Sequence, residues 1–212
     1  MMPGLEAIYD AAFFQEWGAS HQPYVDSAKN ITDVLFNEFN PRRLIDLGSG
    51  CGVYSHFFRQ RGVDVLSIDG VQPPAEHSFP GPLHLRDLTV PFENVWGVFD
   101  MTLCLEVAEH IPESFIDPFL ENLTRFSDLL ILSAAPPNQG GHHHVNEQPK
   151  RYWVKRLSEI GFVYDRKKTG QLMETFKLNK PGFMWMSEHI SVYQKTDKTT
   201  FNWPGLPFTT VG

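Results

Sequence analysis

The stretch that most constrains this chain is Leu44-Ile45-Asp46-Leu47-Gly48-Ser49-Gly50-Cys51-Gly52. An apolar, strand-like run enters a loop with glycine at alternate positions. Val53–Arg61 then continues as a helix, ended by Gly62. Such a loop lets backbone pass close to a ligand where any Cβ would obstruct it. The amides that open the next helix can face polar ligand groups. Asp69 lies at the end of the next strand-like run, where a carboxylate can accept hydrogen bonds from both hydroxyls of a ribose.

The rest of the chain divides around this unit into three parts. Residues 1–40 form a helical lid or cap segment: Tyr9, Phe13 and Trp17 recur every fourth residue, and Ala28, Ile31, Val34 and Leu35 recur at helical spacing. Ser20 to Pro23 reads as the break between two helices. Residues 41–195 form the main domain. Its strand-like runs are Leu44–Leu47, Val63–Ile68, Leu83–Leu85, Phe99–Leu105, Leu129–Ser133, Phe162–Tyr164 and Ile190–Gln194. Helices are expected over Glu113–Phe126, from Pro149 to Ile160, and over Gln171–Lys177. Strands alternating with helices imply parallel pairing in an open sheet covered on both sides. Residues 196–212, polar with two prolines, read as a loosely ordered tail.

Two ligand classes suit a glycine loop of this type. The dinucleotide fingerprint G-x-G-x-x-G/A needs a small residue at position 53, where this chain has Val53. Asp46, two residues before the first glycine, instead suits a ligand carrying a positive centre or an amine. At these residues the sequence resembles the class I S-adenosylmethionine-dependent methyltransferases, over roughly residues 25–195. The resemblance implies an α/β, Rossmann-like, doubly wound fold. Its seven-stranded sheet is mostly parallel, with an antiparallel last strand and helices on both faces. The resemblance also implies that S-adenosylmethionine, and its product S-adenosylhomocysteine, contact Asp46, Gly48, Ser49, Gly50 and Gly52. Asp69 followed by Gly70 matches the ribose-binding acid. Asp87, before Leu88, matches the acid that contacts the adenine amine, and the strand ending at Leu105 faces the sulfonium.

After that strand comes Leu105-Glu106-Val107-Ala108-Glu109-His110. If the chain turns helical here, Glu106, Glu109 and His110 share one face. His142-His143-His144 follows the fifth strand, and in a parallel sheet both loops leave at the same edge. Two carboxylates with one or more imidazoles suit a divalent cation such as Mg²⁺, Mn²⁺, Fe²⁺ or Zn²⁺. The Glu-x-x-Glu-His spacing resembles that of the ubiquinone-biosynthesis O-methyltransferases and of the small-RNA 3′-terminal 2′-O-methyltransferases. The latter resemblance points to His144 as the distal ligand, with His142 and His143 as near alternatives. A metal would lower the pKa of a hydroxyl acceptor. Without one, a neutral His110 or His144 is the candidate general base.

Composition narrows the partners. The 212 residues carry 18 Lys and Arg against 25 Asp and Glu, a formal charge of −7, which argues against a broad nucleic-acid-binding face. Two cysteines, Cys51 and Cys104, exclude a disulfide scaffold. No apolar run is long enough to span a bilayer, and no basic stretch with an apolar core opens the chain. A cytoplasmic monomer or homodimer acting on a small hydroxylated acceptor, such as a sugar or secondary metabolite, is therefore expected. The competing expectations are an RNA 3′-end 2′-O-methyltransferase, a metal-free N- or C-methyltransferase, a nicotinamide-dependent oxidoreductase, and a cofactor-binding protein without catalysis.

Overall fold

A strand that is apolar on both faces must lie inside a sheet covered on both sides, and the first strand does so. In the computed structural model, which describes residues 4–196, the strands are β1 (Arg43–Leu47), β2 (Asp64–Asp69), β3 (Leu83–Leu85), β4 (Met101–Leu105), β5 (Leu129–Ser133), β6 (Phe162–Tyr164) and β7 (Ser191–Lys195). They form one sheet in the order β3-β2-β1-β4-β5-β7-β6. β1 sits near the centre, pairing in parallel with β2 (Leu44 opposite Val65) and with β4 (Leu44 opposite Met101). β7 runs antiparallel to both β5 and β6. This is the Rossmann-like methyltransferase sheet that the resemblance implies.

The helices are α1 (Leu5–Ile8), α2 (Ala11–Glu16), α3 (Gln22–Phe39), α4 (Val53–Gln60), α5 (Ile116–Thr124), α6 (Lys150–Glu159) and α7 (Arg166–Leu178). The period-2 alternation of β1 divides the core between the two faces. Leu44, with Val65, Leu103, Ile131 and Val192, packs under α3, α4 and α7. Ile45, with Leu66, Cys104, Leu130 and Tyr193, packs under α5 and α6. Both cysteines are free and buried. No helix among the described residues is long and apolar enough to cross a membrane.

Two crossovers carry no α-helix, and two helices depart from the sequence expectation for local reasons. Between β2 and β3 the chain makes only a 3₁₀ turn, Ala75–His77. The crossover from β3 to β4 carries no helix and is held by Asn122 of α5, whose Nδ2 donates to the carbonyls of Leu88 and Val90 (3.0 Å each). The helix expected over Glu113–Phe126 is instead a 3₁₀ turn, Glu113–Phe115, followed by α5; Phe126 leaves it because its carbonyl accepts from Phe99 N (2.9 Å). α7 begins earlier than its apolar residues suggest, because the Asp165 carboxylate caps it by accepting from Lys168 N (2.9 Å). Of the tail expected over residues 196–212, all but Thr196 lies outside the described residues.

The loop after β1 owes its path to one glycine. Gly48 has φ 77°, and a Cβ there would run into Val107. Gly48→Ala is therefore expected to cost about 2–4 kcal/mol, combining left-handed backbone strain with overpacking. Denaturant unfolding checks this, and pairing the change with Val107→Ala should recover part of the loss. A cost under about 0.5 kcal/mol, the range of ordinary surface changes, would mean that this glycine serves only a ligand.

Candidate active site

The parallel strands all end at one edge of the sheet, and the glycine loop is pinned there by its neighbour. The amides of Gly48 and Ser49 both donate to the Ile68 carbonyl (2.9 and 3.1 Å). Asp69 completes the grip: one carboxylate oxygen accepts from Gly50 N (2.7 Å) and the other from Val71 N (3.0 Å). Burial raises the Asp69 pKa, and those amides oppose the rise. The carboxylate so fixed stands at the end of β2, beside the loop, where the sequence puts the ribose acid.

The other expected cofactor residues are placed less uniformly. Asp46 is 3% exposed and lies beneath the loop, accepting from Ser55 Oγ (2.6 Å). Ser55 in turn meets Ser67 Oγ (2.7 Å), which accepts from the Arg59 guanidinium (2.6 Å). Burial pushes the Asp46 carboxyl up to about 6, against the Ser55 hydrogen bond and Arg59. Asp46 is thus enclosed by the protein's own donors. Asp87 is exposed, and one of its oxygens accepts from Thr89 N (2.8 Å) and Thr89 Oγ1 (2.6 Å). Leu88 is buried in the α5 side of the core, and Leu105 packs half-buried on the opposite face. Gly52 opens α4 at φ 72°. Gly70 lies under α1, where a Cβ would come 2.9 Å from Leu5 Cδ1.

Beyond β4 the expected helical face does not form. Glu106 takes a left-handed backbone (φ 54°), and only a 3₁₀ turn, Ala108–His110, follows. Such a backbone is costly for a residue with a Cβ and clusters at functional sites. Glu106 N donates to Ser133 Oγ (3.0 Å), and that hydroxyl donates to Glu106 Oε1 (2.7 Å). Glu106 is thereby tied to β5 and lies outside the group of three that converges, though within range of their charges.

Three groups do converge. One ligand atom each from Glu109, His110 and His144 lies within 4.8 Å of the others. Glu109 is completely buried, yet neither carboxylate oxygen has a hydrogen-bond partner among the described residues. Burial and the nearby Glu106 charge raise its pKa well above the carboxylate range. Burial and the neighbouring His144 push His110 down to about 4, so its imidazole is neutral at ordinary pH.

The polar partners on the two Nδ1 atoms select the tautomers. His110 Nδ1 faces the His143 carbonyl (3.2 Å), and His144 Nδ1 faces Glu147 Oε1 (2.9 Å). Both acceptors call for Nδ1–H, which leaves each Nε2 lone pair free. Glu147 is itself fixed, accepting from Asn138 N and Gly140 N (2.7 Å each). The hydrogen bond from His144 holds its carboxyl below the usual range. Sequence reasoning passed over Glu147 as a partner of the cluster, although it stands three positions from His144. Among the three histidines, His142 instead meets the Ile8 carbonyl through Nε2 (2.5 Å), and His143 is exposed.

The N-terminal segment closes over these groups. The Tyr9 ring meets His110 edge-on at 5.7 Å, and it lies 6.1 Å from His142. Its pKa is raised by burial and by the charges of Asp69 and Glu109, so the phenol stands in the field of both acids. Of the aromatic stripe read from the sequence, Tyr9 and Phe13 meet the histidines, while Trp17 packs against Tyr24 and Trp185.

No protein-family model matches the chain. The Ubiquinone biosynthesis O-methyltransferase of Acinetobacter baylyi is 27% identical over 123 residues, covering 52% of this chain and 47% of that protein. The chain thus matches less than half the length of this curated relative. The magnesium protoporphyrin IX methyltransferase of Synechocystis PCC 6803, solved with S-adenosylhomocysteine, superposes with a TM-score of 0.61 at 17% identity, over 91% of this chain and 98% of that one. The 1,6-didemethyltoxoflavin-N1-methyltransferase of Burkholderia thailandensis, solved with its acceptor and S-adenosylhomocysteine, gives 0.58 at 16% identity, over 93% and 92%. The chain has the class I S-adenosylmethionine-dependent methyltransferase fold.

The enclosed Asp46 has a measurable consequence. Its carboxyl holds a proton more tightly folded than unfolded, so its contribution to stability is present below about pH 4 and is lost as pH rises through about 6. The loss is on the order of 2–3 kcal/mol. Asp46→Asn should therefore cost less stability at alkaline than at acidic pH, as unfolding curves on both sides of that window will read. An equal cost at both ends would show that the carboxyl is not displaced from its unfolded value.

Proposed function

We propose that this chain is an S-adenosylmethionine-dependent methyltransferase acting on a hydroxyl of a small molecule, with a divalent cation held by Glu109, His110 and His144. The fold and the curated relatives support the transferase reading. The observation that carries the cation is the Glu109 carboxylate, buried with both oxygens unpartnered. An ionised carboxylate cannot be buried alone without a large cost, and a cation is the partner that removes that cost. The neutral imidazole of His110 and the imidazole of His144 offer their Nε2 atoms, each ring held by an acceptor on Nδ1 as metal-ligating histidines commonly are. One carboxylate with two imidazoles suits Zn²⁺, Fe²⁺ or Mn²⁺ better than Mg²⁺.

In this reading the pinned glycine loop and Asp69 hold the cofactor's ribose at the end of β2, and Gly70 leaves space beside it. The sulfonium is a good leaving group, so the protein's work is to align methyl and acceptor and to exclude water. Tyr9 and Phe13 cover the acceptor side. A bound cation would supply Lewis acidity that lowers the acceptor hydroxyl's pKa. Glu147 keeps His144 in the tautomer that offers Nε2, and the His143 carbonyl does the same for His110. The reducing cytoplasm fits two free thiols. The net charge of −7 weighs against an RNA terminus as acceptor.

Calorimetry on chelator-treated protein, with Zn²⁺, Fe²⁺ or Mn²⁺ added back, tests both halves. S-adenosylmethionine should bind, and Asp69→Ala should weaken it by about 2–3 kcal/mol, the scale of unpaired ribose hydroxyls. Metal analysis should find about one cation per chain, absent from Glu109→Ala, whose cofactor affinity stays near the parent's. Cofactor binding without any metal would make His110 or His144 the general base. No cofactor binding at all would remove the transferase reading.

A further inference from the structure

A second pocket lies on the far side of β5 from the cofactor loop. It is half open, about 50 Å³ in volume, and among its lining residues are Ala134, Pro136, Gln148, Lys150, Trp153 and His189. That volume accommodates a group of a few heavy atoms and no more.

Its polar lining is unusual in what it leaves undone. Trp153 is 3% exposed, and its indole N–H has no partner among the described residues. His189 Nδ1 is buried without one as well. Lys150, at the more exposed side, has no ion pair among the described residues, whereas Arg156 on the same helix meets Glu113, Asp117 and Glu159. Buried polar atoms are almost always hydrogen-bonded, so unpaired ones gathered around one small pocket call for a reason. Burial lowers the pKa of both Lys150 and His189, and Lys150 lowers His189 further, while the nearby Glu188 opposes this. The Glu188 carboxylate is engaged by Lys180 (3.4 Å).

Two of its walls run directly into the proposed transfer site. Ala134 and Pro136 flank Ala135, which lies beside the Glu109 carboxylate. Gln148 Nε2 donates to Asn146 Oδ1 (2.9 Å), and Asn146 N donates to the Glu109 carbonyl (2.9 Å).

We propose that this pocket binds a carboxylate group, received by Lys150, the Trp153 indole N–H and His189 Nδ1–H. As the anchor for one end of the methyl acceptor, it rests on the transferase reading above; as a site for a free small carboxylate, it does not. A carboxylate has the size for the cavity, accepts from several donors at once, and supplies the charge that Lys150 lacks.

The test uses the full chain, isotope-labelled, and follows the indole N–H signals during titration with sodium acetate, with sodium chloride at matched ionic strength as control. The Trp153 signal, identified by its loss in Trp153→Phe, is expected to shift saturably with acetate only. Lys150→Gln should weaken that binding roughly tenfold, the loss of one charge-assisted hydrogen bond. No saturable shift, an equal response to chloride, or unchanged binding in Lys150→Gln overturns the proposal. The source is read by titrating 4-hydroxybenzoate and its amide. Movement of the Trp153 and His144 signals together, by the acid alone, identifies an acceptor's own carboxylate. A response to acetate but not to the aromatic acid identifies a free small carboxylate. S-adenosylmethionine affinity of the same samples keeps the two readings apart, because its loss would fell the transferase reading and leave the acetate result standing.

Discussion

Everything at the working edge of the sheet depends on how the chain turns at the end of β1. The Ile68 carbonyl receives two amides from the glycine loop, and Asp69 receives a third. These bonds tie the loop to the adjacent parallel strand, so its shape follows from the register of β1 against β2 and not from the loop's own preferences. Backbone donors that would otherwise need solvent are satisfied inside the protein. α4 then starts from a fixed point, and its Ser55 closes down on Asp46 beneath.

The same economy shapes the opposite half of the site. Glu109 sends its backbone carbonyl to Val145 and Asn146, while its side chain stays unpaired. The turn after β4 and the histidine loop after β5 are therefore held together by main chain, leaving the side chains for chemistry. The strained backbone at Glu106 belongs to this arrangement. Its left-handed turn brings Glu109 beside the histidine loop, and Ser133 holds the displaced carboxylate. Sites commonly store strain where the surroundings over-determine a conformation.

The sheet was legible because its cause is local and repetitive: short runs of three to six strand residues, alternating faces, and punctuating glycines. Gly48 to Gly52 and Asp69 were legible because their spacing reflects a single strand–loop–helix unit. The helical face expected for Glu106, Glu109 and His110 does not form because one left-handed residue breaks it, and nothing in Leu105-Glu106-Val107 announces that break. His144 could not be separated from His142 and His143 by sequence alone. Their separation comes from Glu147, Ile8 and the His110 ring, which are distant in the chain or meet only in the fold. The part Asn122 of α5 plays in holding the crossover from β3 to β4 was not legible for a similar reason, since it reaches across more than thirty residues.

The N-terminal cap has a further consequence. α1 has four residues and buries none of them, and α2 buries only Phe14. Its hold on the body runs through scattered points: Ile8 to His142, Leu5 over Gly70, and Tyr9 across His110. These points belong to loops that follow three different strands, while Phe14 is buried in the core and Tyr9, Phe13 and Trp17 pack against it. Local opening of such a segment is less costly than unfolding the sheet. The cap and the sheet are thus separate in strength: α1 and α2 can shift on these contacts while the strand register beneath Asp69 and Glu109 stays as it is.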